Sequence, residues 1–339
     1  MPRVKNPGGF VMGRNLIASI SVGLFMSLSP GVAAAGGKLS TVAAFNPALG
    51  ELPESITVDD DGNIYASMGA HIKKITPWGH VSVFATLPLP PGVLSAGLKF
   101  GEDGDLYVAT GSISPTPPVA FVFRVDPDGG VSTYATLDPT GYPNDLAFGA
   151  HGELFVTDPL HGLIWKIDED GDPEVWLTDP AFAGNEEEPY LQLSDFGVDG
   201  IAFDRHKDNL YVSNLDYGTI LRVEIECDGS PGDVEVWADD FDALAGADGI
   251  AFDDKGTLFV AVNGQDRLVA IDKHGDIDVV AEGGLLDAPS SLVFGVTKQS
   301  KKTLYVASFA ITRAYGIVPG TPKPALLKLP VQHKGLPLL

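Results

Sequence analysis

GIAFDDKGTLFVAV, residues 249–262, is one copy of a phrase that recurs along the chain. An apolar-alternating strand runs into a tight polar turn, and a second strand ends in a small or polar residue. The other copies are SITVDDDGNIYAS (55–67), GLKFGEDGDLYVAT (97–110), DLAFGAHGELFVTD (145–158), GIAFDRHKDNLYVSN (200–214) and SLVFGVTKQSKKTLYVAS (291–308). Six copies at about 40–50 residues have the period of a β-propeller blade. Each copy continues into a third strand, as in LIWKID from Leu163, and after a turn into a fourth, as in VEVWAD from Val234. The fold predicted is all-β, a six-bladed propeller with four antiparallel strands per blade. The sixth repeat lacks its last strand. LSTVAAF from Leu39 has that strand's pattern, so the N-terminal strand is expected to complete the last blade and close the ring.

Flanking segments have a different character. Arg3, Lys5 and Arg14 precede an apolar run from Leu16 to Leu28, and Ala33-Ala34-Ala35 offers a cleavage site. Residues 1–35 therefore read as a secretory signal peptide, 36–332 as the propeller and 333–339 as a C-terminal tail. The predicted location is secreted or periplasmic, with no membrane attachment once the leader is cut. Cys227 is the only cysteine, so neither an internal disulfide nor a cysteine metal site is available. The net charge of −23 opposes binding to phosphate backbones, which excludes nucleic acid as a partner. Much of the acid lies in turns such as Asp59-Asp60-Asp61-Gly62-Asn63.

Chemistry is expected where each innermost strand begins. In a propeller these strands line the central channel, and the repeat aligns Glu54, Ala96, Asn144, Asp199, Asp248 and Ser290 at one end of it. Three carboxylates, an amide and a hydroxyl converging there repel one another unless a cation compensates. Oxygen donors without histidine or cysteine suit a single divalent ion, calcium first, with magnesium, manganese or zinc as alternatives.

The stretches GYPNDLAFG from Gly141, FVTDPLHGLIWKID from Phe155 and GADGIAFDDKGTLFVAVNGQDRLVAID from Gly246, with Glu54, resemble the gluconolactonase family, which includes regucalcin. The resemblance spans roughly residues 38–332. It implies one divalent metal in the channel and, for several members, hydrolysis of sugar lactones. It makes Glu54 and Asp248 metal ligands, Asp248 also the general base, and Asn144 a contact to substrate or the metal shell. Asp199 stands where lactonase members commonly carry asparagine, and is the alternative base. Tyr142 stands where members acting on sugar acids carry an arginine, which argues against aldonolactones. If the chain is an enzyme, the expectation is a metal-dependent hydrolase of lactones or related cyclic esters. Its metal set would be Glu54, Asn144, Asp199 and Asp248, with substrate touching Asn144, Tyr142, His161 and Ser290. The other reading is a non-catalytic propeller that binds a ligand or protein around a structural metal. The partner expected is a small-molecule substrate and the chain a monomer. Two long segments, 111–121 and 179–197, are candidate lids, with Phe182, Tyr190 and Phe196 as an apolar wall in the second. No serine-nucleophile elbow, zinc-protease pair or phosphate loop occurs.

Overall fold

A computed structural model describes residues 37–112, 118–190 and 195–337. The expected leader and part of the first candidate lid lie outside these residues. Six four-stranded antiparallel sheets follow one another around a ring. From the centre outward we name the strands of each blade A to D. Strands A are Ile56–Val58, Leu94–Phe100, Leu146–Phe148, Val198–Phe203, Ala247–Phe252 and Pro289–Phe294. Five blades are built from consecutive strands. The sixth takes its outermost strand, Ser40–Ala44, from the N-terminal end, paired antiparallel with Ala325–Pro330. The predicted closure is therefore found, and no blade is left without its fourth strand.

One aromatic motif ties the blades together. The second residue of the repeat's LF, LY or IY pair lies on strand B and is Tyr65, Tyr107, Phe155, Tyr211, Phe259 or Tyr305. Tyr65 packs edge-on against Phe84 of its own strand D, with ring centroids 4.9 Å apart, and against Phe100 of the next strand A at 5.0 Å. Tyr107 does the same with Tyr134 and Phe148, Phe155 with Trp176 and Phe203, and Tyr211 with Trp237 and Phe252. Such edge-to-face pairs add about 0.5–1.5 kcal/mol each beyond the area they bury. The period-2 alternation of the strands thus presents both faces of every sheet to a neighbouring blade, which is why a single blade could not stand alone.

Strand A also explains how the channel is drawn tight. The backbone N–H of Gly97 donates to the Asn144 carbonyl at 2.7 Å, joining the openings of blades two and three. A Cβ on Gly249 would lie 2.5 Å from the Ser290 carbonyl oxygen, and one on Gly200 would collide with the Asp248 carbonyl. These two glycines let adjacent innermost strands approach at the level where the acidic residues sit.

Candidate active site at the channel mouth

The acidic residues lie where strand A departs from regular pairing. Between strands A and B the register shifts from Val198 to Ile201 in blade four, from Ala247 to Ile250 in blade five, and from Pro289 to Ser291 in blade six. Asp199, Asp248 and Ser290 fall inside those irregular steps. Bulges of this kind re-aim side chains and are frequent beside active sites. Hydroxyls at the end of strand B pin the openings. Ser213 Oγ accepts from Gly200 N at 2.8 Å and donates to the Asp248 carbonyl at 2.7 Å. Thr157 Oγ1 accepts from Asp145 N and donates to the Asp199 carbonyl at 2.5 Å. Each hydroxyl therefore fastens its own blade to the next.

Glu54, Asn144, Asp199 and Asp248 come together there, the last three buried and Glu54 half-buried. Asn144 Nδ2 donates to Asp199 Oδ1, and the Asp199 charge acts on Asp248. Asn263 Nδ2 donates to Asp248 Oδ2 at 3.0 Å. Burial is the main cause that pushes all three carboxyl groups well above the ordinary carboxylate range; repulsion adds to it, from Asp199 at Glu54, from Asp199 and Glu54 at Asp248, and from Asp216 at Asp199. Asp145, the residue after Asn144, is a further source of negative charge at Glu54, Asp199 and Asp248. Its own oxygens accept from Leu146 N and Ile201 N.

Among the described residues, no three or more His, Cys, Asp or Glu side chains form a group able to hold a metal by themselves. The donor chemistry nevertheless fits a hard cation once the Asn144 amide is included. Glu54 Oε2 is buried without a hydrogen-bond partner among the described residues, as is Asn263 Oδ1 beside Asp248. A buried carboxylate oxygen with nothing to satisfy it is costly unless a proton or cation does so.

The remaining predicted residues divide. Tyr142 is buried at the mouth, its ring 5.6 Å from Phe196, and its phenol is pushed up by burial and by Glu54, Asp199 and Asp248. It thus overlooks the acidic set. Its backbone N–H donates to Asp158 Oδ1 at 2.9 Å. His161 bonds instead to Asp158, Nδ1 to Oδ2 at 3.1 Å, and to Thr140 through Nε2. Asp158 also accepts from Trp165 Nε1, so this fully buried carboxylate sets both Tyr142 and His161. Ser290 Oγ donates to the Glu54 carbonyl and so joins blades six and one.

The segment expected as a second lid is strapped down. Asn214 Nδ2 donates to the carbonyls of Ala181 and Ala183, and the Asp216 carboxylate accepts from Asn185 N and Tyr190 N, both at 2.9 Å. Tyr190 and Phe196 join Tyr142, Ala96 and Leu215 in one apolar cluster, as an apolar wall requires. Phe182 does not. It is buried between blades three and four, because the short 3-10 turn Pro180–Phe182 directs it into the core. Asp145 carries no pattern by which the repeat marks it as a support, whereas the strand-B hydroxyls fall at the small or polar position that ends the repeat's second strand. Asn263 follows strand B of blade five and Asp158 is the last residue of strand B in blade three, and this place at the mouth is the signal they give.

The fold and its acidic mouth define a class, a six-bladed propeller with oxygen donors gathered at one end of the channel. Residues 197–310 match the family described as the SMP-30/Gluconolactonase/LRE-like region. A protein named gluconolactonase from Zymomonas mobilis is 27% identical over 269 residues, covering 70% of this chain and 69% of that one. The structure resembles that of a gluconolactonase from Xanthomonas campestris with a TM-score of 0.64 at 18% identity, covering 90% of this chain and 93% of the other. It also resembles a calcium-binding regucalcin from Agrobacterium tumefaciens, with a TM-score of 0.63 at 18% identity, covering 84% and 92%. The chain is a six-bladed β-propeller that over residues 197–310 is similar to that family.

Proposed function

We propose that this protein is a divalent-cation-dependent hydrolase of lactones or related cyclic esters. The observation that carries this reading is the set Glu54, Asn144, Asp199 and Asp248, whose unsatisfied Glu54 oxygen and mutual repulsion call for a cation. The gluconolactonase names borne by the Zymomonas and Xanthomonas relatives support the lactone class. Calcium is the ion we favour, on the all-oxygen donors and on the calcium-binding regucalcin among the structural relatives. A cation bound by these four residues would polarise an ester carbonyl and make water more acidic.

The chain's own residues supply the rest. Asp248, held by Asn263, is placed to accept a proton from the attacking water, with Asp199 beside it as the second carboxylate. Asn144 orients Asp199 and offers its amide to substrate. Tyr142 and Phe196 form an apolar side wall that excludes water and suits a ring without a carboxylate. That wall is also the feature favouring the second reading, a binding propeller with a structural metal, since Tyr142 gives no charged anchor. We further propose export, with a leader cut after Ala35. Its basic and apolar pattern supports this, and N-terminal sequencing of the mature protein tests it.

The experiment is proton release from aliphatic, aromatic and sugar lactones, with the ion removed by chelator and then restored. Asp248→Asn is the companion variant. Turnover that vanishes with chelator, returns with one ion and falls by at least about a hundredfold in Asp248→Asn supports the hydrolase. No turnover with any ion, but ion-dependent thermal stabilisation, leaves the binding propeller.

A further inference from the structure

The far end of the channel holds a second feature, independent of the acidic mouth. The central residue of the apolar triplet in strand A is Thr57, Lys99, Ala147, Ala202, Ala251 or Val293 around the ring. Five blades place a small uncharged residue there. Blade two places a lysine, in GLKFG. Strand A runs from the acidic set toward this point, so Ala202 lies about 10 Å from Asp199 along its strand.

Lys99, Ala147, Ala202, Ala251 and Val293 line one cavity of about 150 Å³. Its remaining walls mix apolar side chains, among them Phe148, Phe252 and Leu336, with the charged Asp204, Arg205 and Lys207. The tail segment forms one side of it. Leu336 N donates to the Phe252 carbonyl, and Gly335 pairs with Asp253. Blade two, which carries Lys99, stands opposite blade five in the ring.

The charged groups at this cavity differ in how they are occupied. Arg205 Nη2 donates to the Asp254 carbonyl at 2.7 Å, and Lys207 Nζ to the Gly149 carbonyl at 2.9 Å. The Asp204 carboxylate accepts from Asp208 N and Asn209 Nδ2 within its own turn. Lys99 has no hydrogen-bond or ion-pair partner among the described residues. An unpaired cation beside the aromatic part of a mixed polar and apolar cavity, in a chain of net charge −23, is matched by an anion that brings its own apolar body.

We infer that the cavity at the end of the channel remote from the acidic mouth binds an organic monocarboxylate with a compact apolar group, its carboxylate on Lys99. A cavity of about 150 Å³ lined by Leu, Ile and Phe side chains is known to hold one benzene ring. The ligand is therefore of the size of a small aromatic or short branched acid. Phosphate and sulfate lack the apolar part. Neutral aromatics lack the charge that Lys99 requires.

Benzoate is the probe, titrated calorimetrically into the ion-loaded full chain, with benzyl alcohol and inorganic phosphate as controls. Lys99→Ala is the variant, because alanine occupies the same place in blades three to five and the fold accepts it there. Benzoate is expected to bind one to one. Lys99→Ala is expected to weaken it by about ten- to a hundredfold, the worth of a charge-assisted hydrogen bond. Asp248→Asn is expected to leave it unchanged, which separates this site from the mouth. Lactone turnover, where present, is expected to survive Lys99→Ala. Equal binding by wild type and Lys99→Ala, binding lost in Asp248→Asn, or no heat with benzoate would each overturn the inference. Phosphate binding as tight as benzoate would do so too, showing a simple anion site.

Discussion

Asp199 is enclosed on all sides by groups that respond to its charge. Asn144 donates to it, and Asp145 and Asp216 oppose its charge. Removing one charge from such a set by an isosteric amide relieves repulsion in the metal-free protein while weakening its hold on a cation. Asp199→Asn is therefore expected to stabilise the chelated protein by about 0.5–3 kcal/mol. The rise in melting temperature on adding calcium is expected to shrink. Thermal melts of both proteins, with chelator and then with calcium, check this. A variant that melts lower without ion and keeps the full calcium response would contradict it. Alignment of the repeat located Glu54, Asn144, Asp199 and Asp248 because they share one register position in their blades. Asp145 stayed hidden because it occupies the next position, where the other blades carry glycine or serine, Ser55, Gly97, Gly200, Gly249 and Ser291. His161 drew notice as an ionisable loop residue, yet its geometry ties it to Asp158 and Thr140.

Among the elements, the link between blades three and four shows how a loop becomes part of a scaffold. Asp216 sits in the turn between strands B and C of blade four and holds two backbone N–H groups of that link. Asp216→Ala is expected to free them, at about 1–3 kcal/mol of local stability. Hydrogen exchange at Asn185 and Tyr190 would accelerate, with exchange in strands B of all blades unchanged. Slow exchange at both amides in the variant would show that the link is held by other contacts. The length of this link was visible in the sequence, but its fastening was not. Side-chain bonds to backbone N–H groups leave no periodic mark. Strand bulges are equally silent, because a register shift from Val198 to Ile201 changes pairing without changing the apolar alternation that announces a strand.

For the whole molecule, the period of the repeat made both the blade number and the closing strand legible. Each blade must match its neighbours, and a missing strand at one end finds its pattern at the other. Deleting residues 37–46 is expected to leave Ala325–Pro330 as an open edge. We expect a loss of a few kcal/mol, about 2–4 °C of melting temperature for each, with oligomers on size exclusion. A peptide of residues 38–46 added in excess should restore the full chain's elution profile. A deletion that melts like the full chain would show that the ring does not depend on its clasp. The pairing of Ser40 with Lys328 and of Ala44 with Ala325 also bears on how the protein is made. A ribosome delivers the first of these partners long before the second. The segment from Leu39 to Ala44 must wait, unpaired, while five blades' worth of chain emerges. A precursor whose last blade cannot form until synthesis has passed Pro330 is one whose ring stays open throughout its time on the ribosome.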